Sequence, residues 1–186
     1  MIHPPPDPDL IPTFVNGVLV PMDKLLVHRL GLRHLAVSVF VCDSSAMLIQ
    51  QRAQAKYHSP GLWANTCCTH PYWGEPADRC AHRRLEQELG LTGMPLLSSG
   101  QIEYRADVGN GLIEHELVEV FLARIDARPE VRLDPAEAAA TRWISFADLT
   151  RDMSARPGDF TPWLHIYLNQ HRDRIFGFNR AASAQL

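Results

Sequence analysis

The chain has 186 residues, 46% hydrophobic and 21% charged, the balance of one compact globular domain. Its 18 Lys+Arg against 21 Asp+Glu leave a formal charge of -3, which excludes a global basic field for nucleic acid or an anionic membrane surface. Mean hydropathy is -0.15, and no apolar run approaches the roughly 18 residues a membrane span needs. The opening Met1-Ile2-His3-Pro4-Pro5 has neither the basic nor the apolar region of an export signal, so a cytoplasmic location is expected.

In chain order, five prolines fall in the first twelve residues, so 1–13 reads as a loose tail ahead of a single domain over 14–178, with a second tail at 179–186. Phe14-Val15 and Val18 to Val20 flank Asn16-Gly17, a short hairpin. Leu35 to Cys42 is an apolar, β-branched run, and Met47 to Gln51 reads as its hairpin partner. Residues 61–71 lack periodicity and read as a loop. Pro76 to Leu89 is helical, with Cys80, Ala81, Leu85 and Leu89 at helical spacing and Gly90 as C-cap. Ile102 to Asp107 and Ile113 to Ile125 are strands around Gly109-Asn110-Gly111. Thr141 to Ile144 is a further strand, followed by a helix around Phe146 to Met153. The last helix opens at Thr161-Pro162 and carries Trp163, Leu164, Tyr167 and Leu168 on one face. Helices alternating with antiparallel hairpins predict an α/β sandwich on a mixed sheet.

Within this frame the chemistry-bearing residues are nine His and four Cys. No C-x-x-C pair occurs, and without an export signal Cys42, Cys67, Cys68 and Cys80 are expected as reduced thiols. On the strand Ile113-Glu114-His115-Glu116-Leu117, a period of two puts Glu114 and Glu116 on one face. A solvated face gives the same alternation, but Val118 and Val120 share that face and favour a buried acidic pair, which needs a cation or a reacting group. His28, His34 and His70 could join it in holding a divalent metal. The other six histidines, His58 among them, read as surface or satisfied core residues.

On the helix, Arg84 and Glu88 form an i, i+4 pair. The order Glu75, Arg83, Leu85, Glu88, Gly90, Leu91 resembles the Nudix box, whose carboxylates serve a metal-bound diphosphate. Here Thr69, Arg84 and Gln87 replace its first Gly and two of its Glu. Losing those glutamates removes the electrostatics of hydrolysis and leaves a segment suited to hold a diphosphate rather than cut it.

Three segments carry a more specific resemblance: Trp63-Ala64-Asn65-Thr66-Cys67-Cys68-Thr69-His70-Pro71, Arg83 to Gly90, and Tyr104-Arg105-Ala106 with Glu114-x-Glu116. His34-Leu35-Ala36, Ser59 to Trp63 and Thr161-Pro162-Trp163 extend it from about Asn16 to Phe178. The chain is similar to the type 1 isopentenyl-diphosphate delta-isomerases, Nudix-fold enzymes of isoprene biosynthesis. The resemblance implies a Nudix-type α/β/α sandwich with a mixed sheet in a single domain. It implies Cys68 and Glu116 as the acid–base pair with Tyr104 in contact, Cys67 remaining structural. It further implies a divalent metal, Mn²⁺, Zn²⁺ or Mg²⁺, on His28, His34, His70, Glu114 and Glu116. A second Mg²⁺, carried with the diphosphate, would meet Glu88 and the carbonyl of Cys68. Lys24, Arg52, Lys56 and Arg84 would face the diphosphate, with Trp163 in the pocket. The expected partner is a small prenyl diphosphate, with no nucleic acid and no membrane. A monomer is the working expectation. Two other functions remain to be weighed: a Nudix pyrophosphatase, against which Arg84 and Gln87 speak, and a binding module with a structural metal.

Overall fold

The computed structural model describes residues 7–177. One mixed sheet holds nine strands: β1 (Leu10–Val15), β2 (Val18–Asp23), β3 (Arg33–Cys42), β4 (Met47–Arg52), β5 (Trp63–Ala64), β6 (Cys67–Thr69), β7 (Leu96–Gly109), β8 (Leu112–Arg124) and β9 (Ala138–Ile144). The helices are α1 (Lys24–Leu30), α2 (Ala77–Leu89), α3 (Phe146–Ala155), α4 (Pro162–Gln170) and α5 (Arg172–Phe176). Strand β3 runs parallel to β8 and antiparallel to β1, β4 and β6, while β7 folds back on β8. Such a long central strand, buried along most of its length, explains the unbroken apolar run that marked it.

Two cores form on the two faces of the sheet. One packs Leu149 and Met153 of α3, Trp163, Leu164 and Tyr167 of α4, and Ile175 of α5 against Phe40, Ile49, Val118 and Val120. The other packs Cys80, Ala81, Leu85 and Leu89 of α2 against Val37, Val39, Val41 and Phe121. The result is a helix–sheet–helix sandwich. Helix α2 needs no side-chain N-cap: Pro76 precedes its first turn, and Gly90 closes it at φ 66°. Asn16 and Gly17 take φ of 50° and 79°, the left-handed pair a two-residue hairpin demands.

Several expectations are corrected. The first strand starts at Leu10 rather than Phe14, and Ile11, Pro12 and Thr13 are buried, because β1 pairs with β2 along its full length. Residues 1–6 of the expected N-terminal tail and the tail at 179–186 lie outside the described residues. The loop read at 61–71 contains β5 and β6, too short to show a period. Strand β7 begins at Leu96, ahead of Ile102, with a register shift between Ser98 and Gly100 that breaks its alternation. Helices α1 and α5 were not expected. Helix α1 leaves Leu25, Leu26 and Leu30 exposed, so it shows no apolar stripe. It is held instead by its ends, where Asp23 accepts from the Leu26 amide at 2.7 Å and Gly31 turns at φ 60°. A side chain at Gly31 would press on Ile113 of β8, so this turn also fixes how closely α1 approaches the sheet.

Candidate active site

Strand register assembles the centre of the site. Glu116 on β8 stands opposite His34 on β3 and Tyr104 on β7, so three side chains form a row across adjacent strands. Glu114 follows two residues away on the same face, and Ser38 on β3 stands opposite Cys68 on β6. Helix α1 adds His28, and His70 follows β6. The structure thereby brings one nitrogen or oxygen from each of His28, His34, His70 and Glu116 within 4.8 Å of one another. A second group, His28, His58 and Glu114, meets the same limit and shares His28.

The imidazoles are set up to give lone pairs. His28 and His34 each place Nδ1 at 2.7 Å from a backbone carbonyl, of Lys24 and Leu32, so Nδ1 carries the proton. Their Nε2 atoms are buried with no hydrogen-bond partner. His70 Nε2 stands 3.1 Å from Glu116 Oε1, and His34 Nε2 stands 3.5 Å from the same oxygen. Burial lowers His28 to about 3 and His70 to about 4, the neighbouring rings adding to the effect, so both are neutral at physiological pH. Burial opposes ionisation of both carboxyls. For Glu116 the facing rings of His34 and His70 more than offset it and hold the group well below the usual carboxylate range. For Glu114, burial and the adjacent Glu116 charge outweigh the Tyr104 hydroxyl and Arg52 and push it well above that range. Two buried carboxylates beside two orphaned imidazole nitrogens fit a divalent cation, which would satisfy all of them together.

The remaining candidates line a cavity of about 220 Å³ with Cys68, His70, Tyr104, Glu114, Glu116 and Trp163 in its wall. Tyr104 places its hydroxyl 2.8 Å from Glu114 Oε2 and 2.7 Å from Glu116 Oε2. The Cys68 thiol donates to Asn65 Oδ1 at 2.8 Å and lies 3.3 Å from Ser38 Oγ, which contacts the Tyr167 hydroxyl at 2.8 Å. Burial pushes this thiol up, so it is protonated at neutral pH. Cys67 points to the opposite face of the sheet, fully buried in the core beneath α2.

Lys24, Arg52, Lys56 and Arg84 also line the cavity, as does Arg83. Arg52 sits 5.2 Å from the Trp163 ring centroid and donates to the His58 carbonyl at 3.1 Å. Lys56 pairs with Glu137, and Arg84 reaches the same Glu137 oxygen at 3.0 Å. Glu88 is buried away from the cavity lining. Arg84 donates to its Oε1 at 2.7 and 3.0 Å, and Gln50 donates to its Oε2 at 3.0 Å. The structure therefore makes Glu88 a counter-ion of Arg84 and does not bring it to the His/Glu cluster. In the Nudix-like segment, Glu75 and Arg83 form a two-pronged pair at 2.7 Å, which pins the loop onto α2.

Sequence reasoning missed His58 and Glu137. Both line the cavity, yet His58 sits in a segment without periodicity and Glu137 in a turn between strands. For His58 a signal was available, since it directly precedes Ser59-Pro60-Gly61-Leu62-Trp63, a segment that carries the family resemblance. Nothing local marks Glu137.

A mixed sheet between helical layers, with a Glu75-to-Gly90 loop and helix beside a His/Glu cluster, defines a Nudix fold, and the NUDIX domain model matches residues 32–164. A solved structure from Deinococcus radiodurans, DR0079, superposes with a TM-score of 0.66 over 90% of this chain and 98% of its own, at 14% identity. A MutT NUDIX hydrolase from Burkholderia pseudomallei does so with 0.58 over 75% and 98%, at 24% identity. At such identities the likeness concerns the fold alone. Sequence relatives go further. The isopentenyl-diphosphate Delta-isomerase of Rhodobacter capsulatus is 59% identical over 90% of this chain and 96% of its own length. That of Ruegeria pomeroyi is 52% identical over 95% and 98%. The chain belongs to the isopentenyl-diphosphate Delta-isomerase family of the Nudix superfamily. Among the described residues no helix is long and apolar enough to cross a membrane.

Proposed function

We propose that this enzyme interconverts isopentenyl diphosphate and dimethylallyl diphosphate, with Cys68 and Glu116 as the acid–base pair. The observation that carries the proposal is one cavity whose wall holds a protonated thiol, an ionised carboxylate in contact with a tyrosine, and a group of Lys and Arg side chains. Moving a double bond along a homoallylic diphosphate requires a proton to be delivered to one carbon and another to be removed from a different carbon. Cys68, held by Asn65 and Ser38, has a proton to give or take at Sγ. Glu116 exchanges its proton at the oxygen that faces Tyr104. Because the reaction is reversible, each group serves as acid in one direction and as base in the other.

The intermediate has cationic character, so the wall must exclude water and offer electron density. Trp163, 1% exposed, supplies a π face worth roughly 0.5–2 kcal/mol to a cation. Glu116 supplies fixed negative charge, which Glu114 would join once a bound cation holds it ionised, the larger contribution in a site of low polarity. Lys24, Arg52, Lys56 and Arg84 hold the diphosphate, so binding energy remote from the double bond positions the reacting carbons. A divalent metal on His28, His34, His70, Glu114 and Glu116 would keep both carboxyls ionised and fix their orientation. Mg²⁺ accompanying the diphosphate would neutralise part of its charge, and Glu88 could meet it once Arg84 turns to the phosphate.

The test is incubation with isopentenyl diphosphate and Mg²⁺ in D₂O. Deuterium in product and recovered substrate is expected; its absence from both would overturn the proposal. Release of phosphate or pyrophosphate from nucleoside-diphosphate derivatives would support hydrolysis instead, a reading that the Arg84–Glu88 pairing disfavours.

A further inference from the structure

We infer that His58 is an additional protein ligand of the divalent cation at the His/Glu centre. The inference rests on the metal-centre reading above and extends it to a residue outside the expected set. His58 is 4% exposed, and its Nε2 lies 3.7 Å from Glu114 Oε1. That separation is too long for a hydrogen bond, so neither atom satisfies the other. It suits two ligands of one ion, because donors at about 2.0–2.2 Å from a shared cation stand roughly 3–4 Å apart. The distances of 3.1 and 3.5 Å from Glu116 Oε1 to His70 and His34 fall in the same range.

A stereochemical limit then joins the two groups of donors. Both contain His28, whose Nδ1 is engaged by the Lys24 carbonyl, leaving Nε2 as its one lone pair. One lone pair ligates one ion. The His34–His70–Glu116 group and the His58–Glu114 pair must therefore close on the same cation if both use His28. Burial, assisted by the Arg52 charge, lowers His58 to about 2, so its ring is neutral and able to ligate. Glu114 has turned its other oxygen to Tyr104, which leaves Oε1 facing His58.

His58 differs from His28 and His34 in one respect. Its Nδ1 is buried without any partner, so no backbone carbonyl fixes its tautomer or orientation. A ligand lacking such support is bound more weakly, and His58 should be the most easily displaced of the imidazoles. Its carbonyl accepts from Arg52 and its ring stacks edge-on against Trp163 at 5.8 Å, so displacement would move the wall that meets the prenyl chain.

The experiment is chelator competition on the full-length protein with Zn²⁺ and Mn²⁺, together with the visible spectrum of the Co²⁺-loaded form. His58→Ala is expected to weaken metal binding about tenfold, less than His34→Ala, and to alter the Co²⁺ ligand-field bands. His58→Asn, which keeps a polar side chain of lower ligating power, should fall between wild type and His58→Ala; it also serves if the alanine variant fails to fold. Unchanged affinity and an unchanged Co²⁺ spectrum in a folded variant would overturn the inference. Failure of the wild-type protein to take up any of these ions would overturn the metal-centre reading itself, a distinguishable result.

Discussion

The two ends of the cavity treat buried charge in opposite ways. At the His/Glu end, two carboxylates stand side by side, and the Nε2 atoms of His28 and His34 have no partner within the protein. At the cationic end two of the four cations, Lys56 and Arg84, are already answered, while Lys24 and Arg52 have no carboxylate within ion-pair distance among the described residues. Lys56 meets Glu137, Arg84 meets Glu137 and Glu88, and Glu88 meets Gln50. The first arrangement leaves a deficit that a cation from outside would close. In the second, Lys56 and Arg84 are closed by the protein's own anions, so an incoming diphosphate must compete with Glu137 for both. Metal binding should therefore be an addition and diphosphate binding an exchange.

The largest effects belong where the two ends meet. Cys68→Ala and Glu116→Gln should each lower turnover about 10³-fold or more, since each removes one of the two proton-transfer groups proposed above. Deuterium incorporation measures this, and pyrophosphate affinity should survive in Cys68→Ala because the cations are untouched. Cys67→Ala should retain turnover, with only the cost of a small cavity under α2. Loss of activity in a folded Cys67→Ala protein would assign the chemistry to the wrong thiol. Next in size is metal removal. Stripping with a strong chelator should abolish deuterium incorporation and lower Tm, and added Zn²⁺ or Mn²⁺ should restore both. Retention of full Tm after complete removal would mean that the buried carboxylates are balanced by protonation alone.

How much of this contrast was legible in the sequence differs between the two ends. Glu114 and Glu116 could be placed on one face by strand alternation, and Val118 and Val120 marked that face as inward. Helix α2 could be read from Cys80, Ala81, Leu85 and Leu89. By contrast α1, which carries His28, exposes three of its leucines and is defined by its caps. Glu137 sits in a turn that its own amide closes on the Asp134 carbonyl at 3.0 Å, and tertiary backbone bonds place that turn: the Asp134 amide donates to the Glu88 carbonyl and the Ala53 amide to that of Glu137, at 3.0 Å each. No local periodicity encodes such a turn, so the anion that balances Lys56 and Arg84 was invisible. His58 was hidden for a related reason, lying in an irregular segment whose course depends on what packs around it.

A medium-sized effect would sharpen the cationic side of the comparison. Glu137→Gln removes one negative charge while nearly preserving shape. Lys56 is then less ordered before binding, so fixing it on the phosphate costs about 1–2 kcal/mol of side-chain entropy. It gains Lys56 freed of its competing carboxylate, able to make a charge-assisted bond of about 1.5–3 kcal/mol to phosphate oxygen, and Arg84 left with Glu88 as its one carboxylate. The gain is the larger, so inorganic pyrophosphate should bind about tenfold tighter, with a steeper salt dependence. Calorimetric titration gives both quantities. Weaker binding would mean that Glu137 acts chiefly as a brace for Lys56 rather than as a rival to the substrate.

The smallest effect concerns acid stability and turns on sign. Burial tends to raise Glu137, but Lys56 and Arg84 outweigh it and bring the group to about 2 from its ordinary 4.5. A carboxyl depressed in the folded state stabilises the fold fully above its unfolded value and loses that contribution as pH falls toward the folded one. The window is therefore pH 4.5 down to about 2. Wild type should lose stability more steeply than Glu137→Gln across the upper part of this range, and the two slopes should run parallel above pH 6. The centre of the His/Glu group would not produce that difference, because Glu114 and Glu116 are present in both proteins. Denaturant midpoints measured at intervals from pH 3 to pH 7 isolate the contribution. Parallel slopes throughout would show that Glu137 titrates near its ordinary value, and that the cationic end is less completely balanced than its ion pairs indicate.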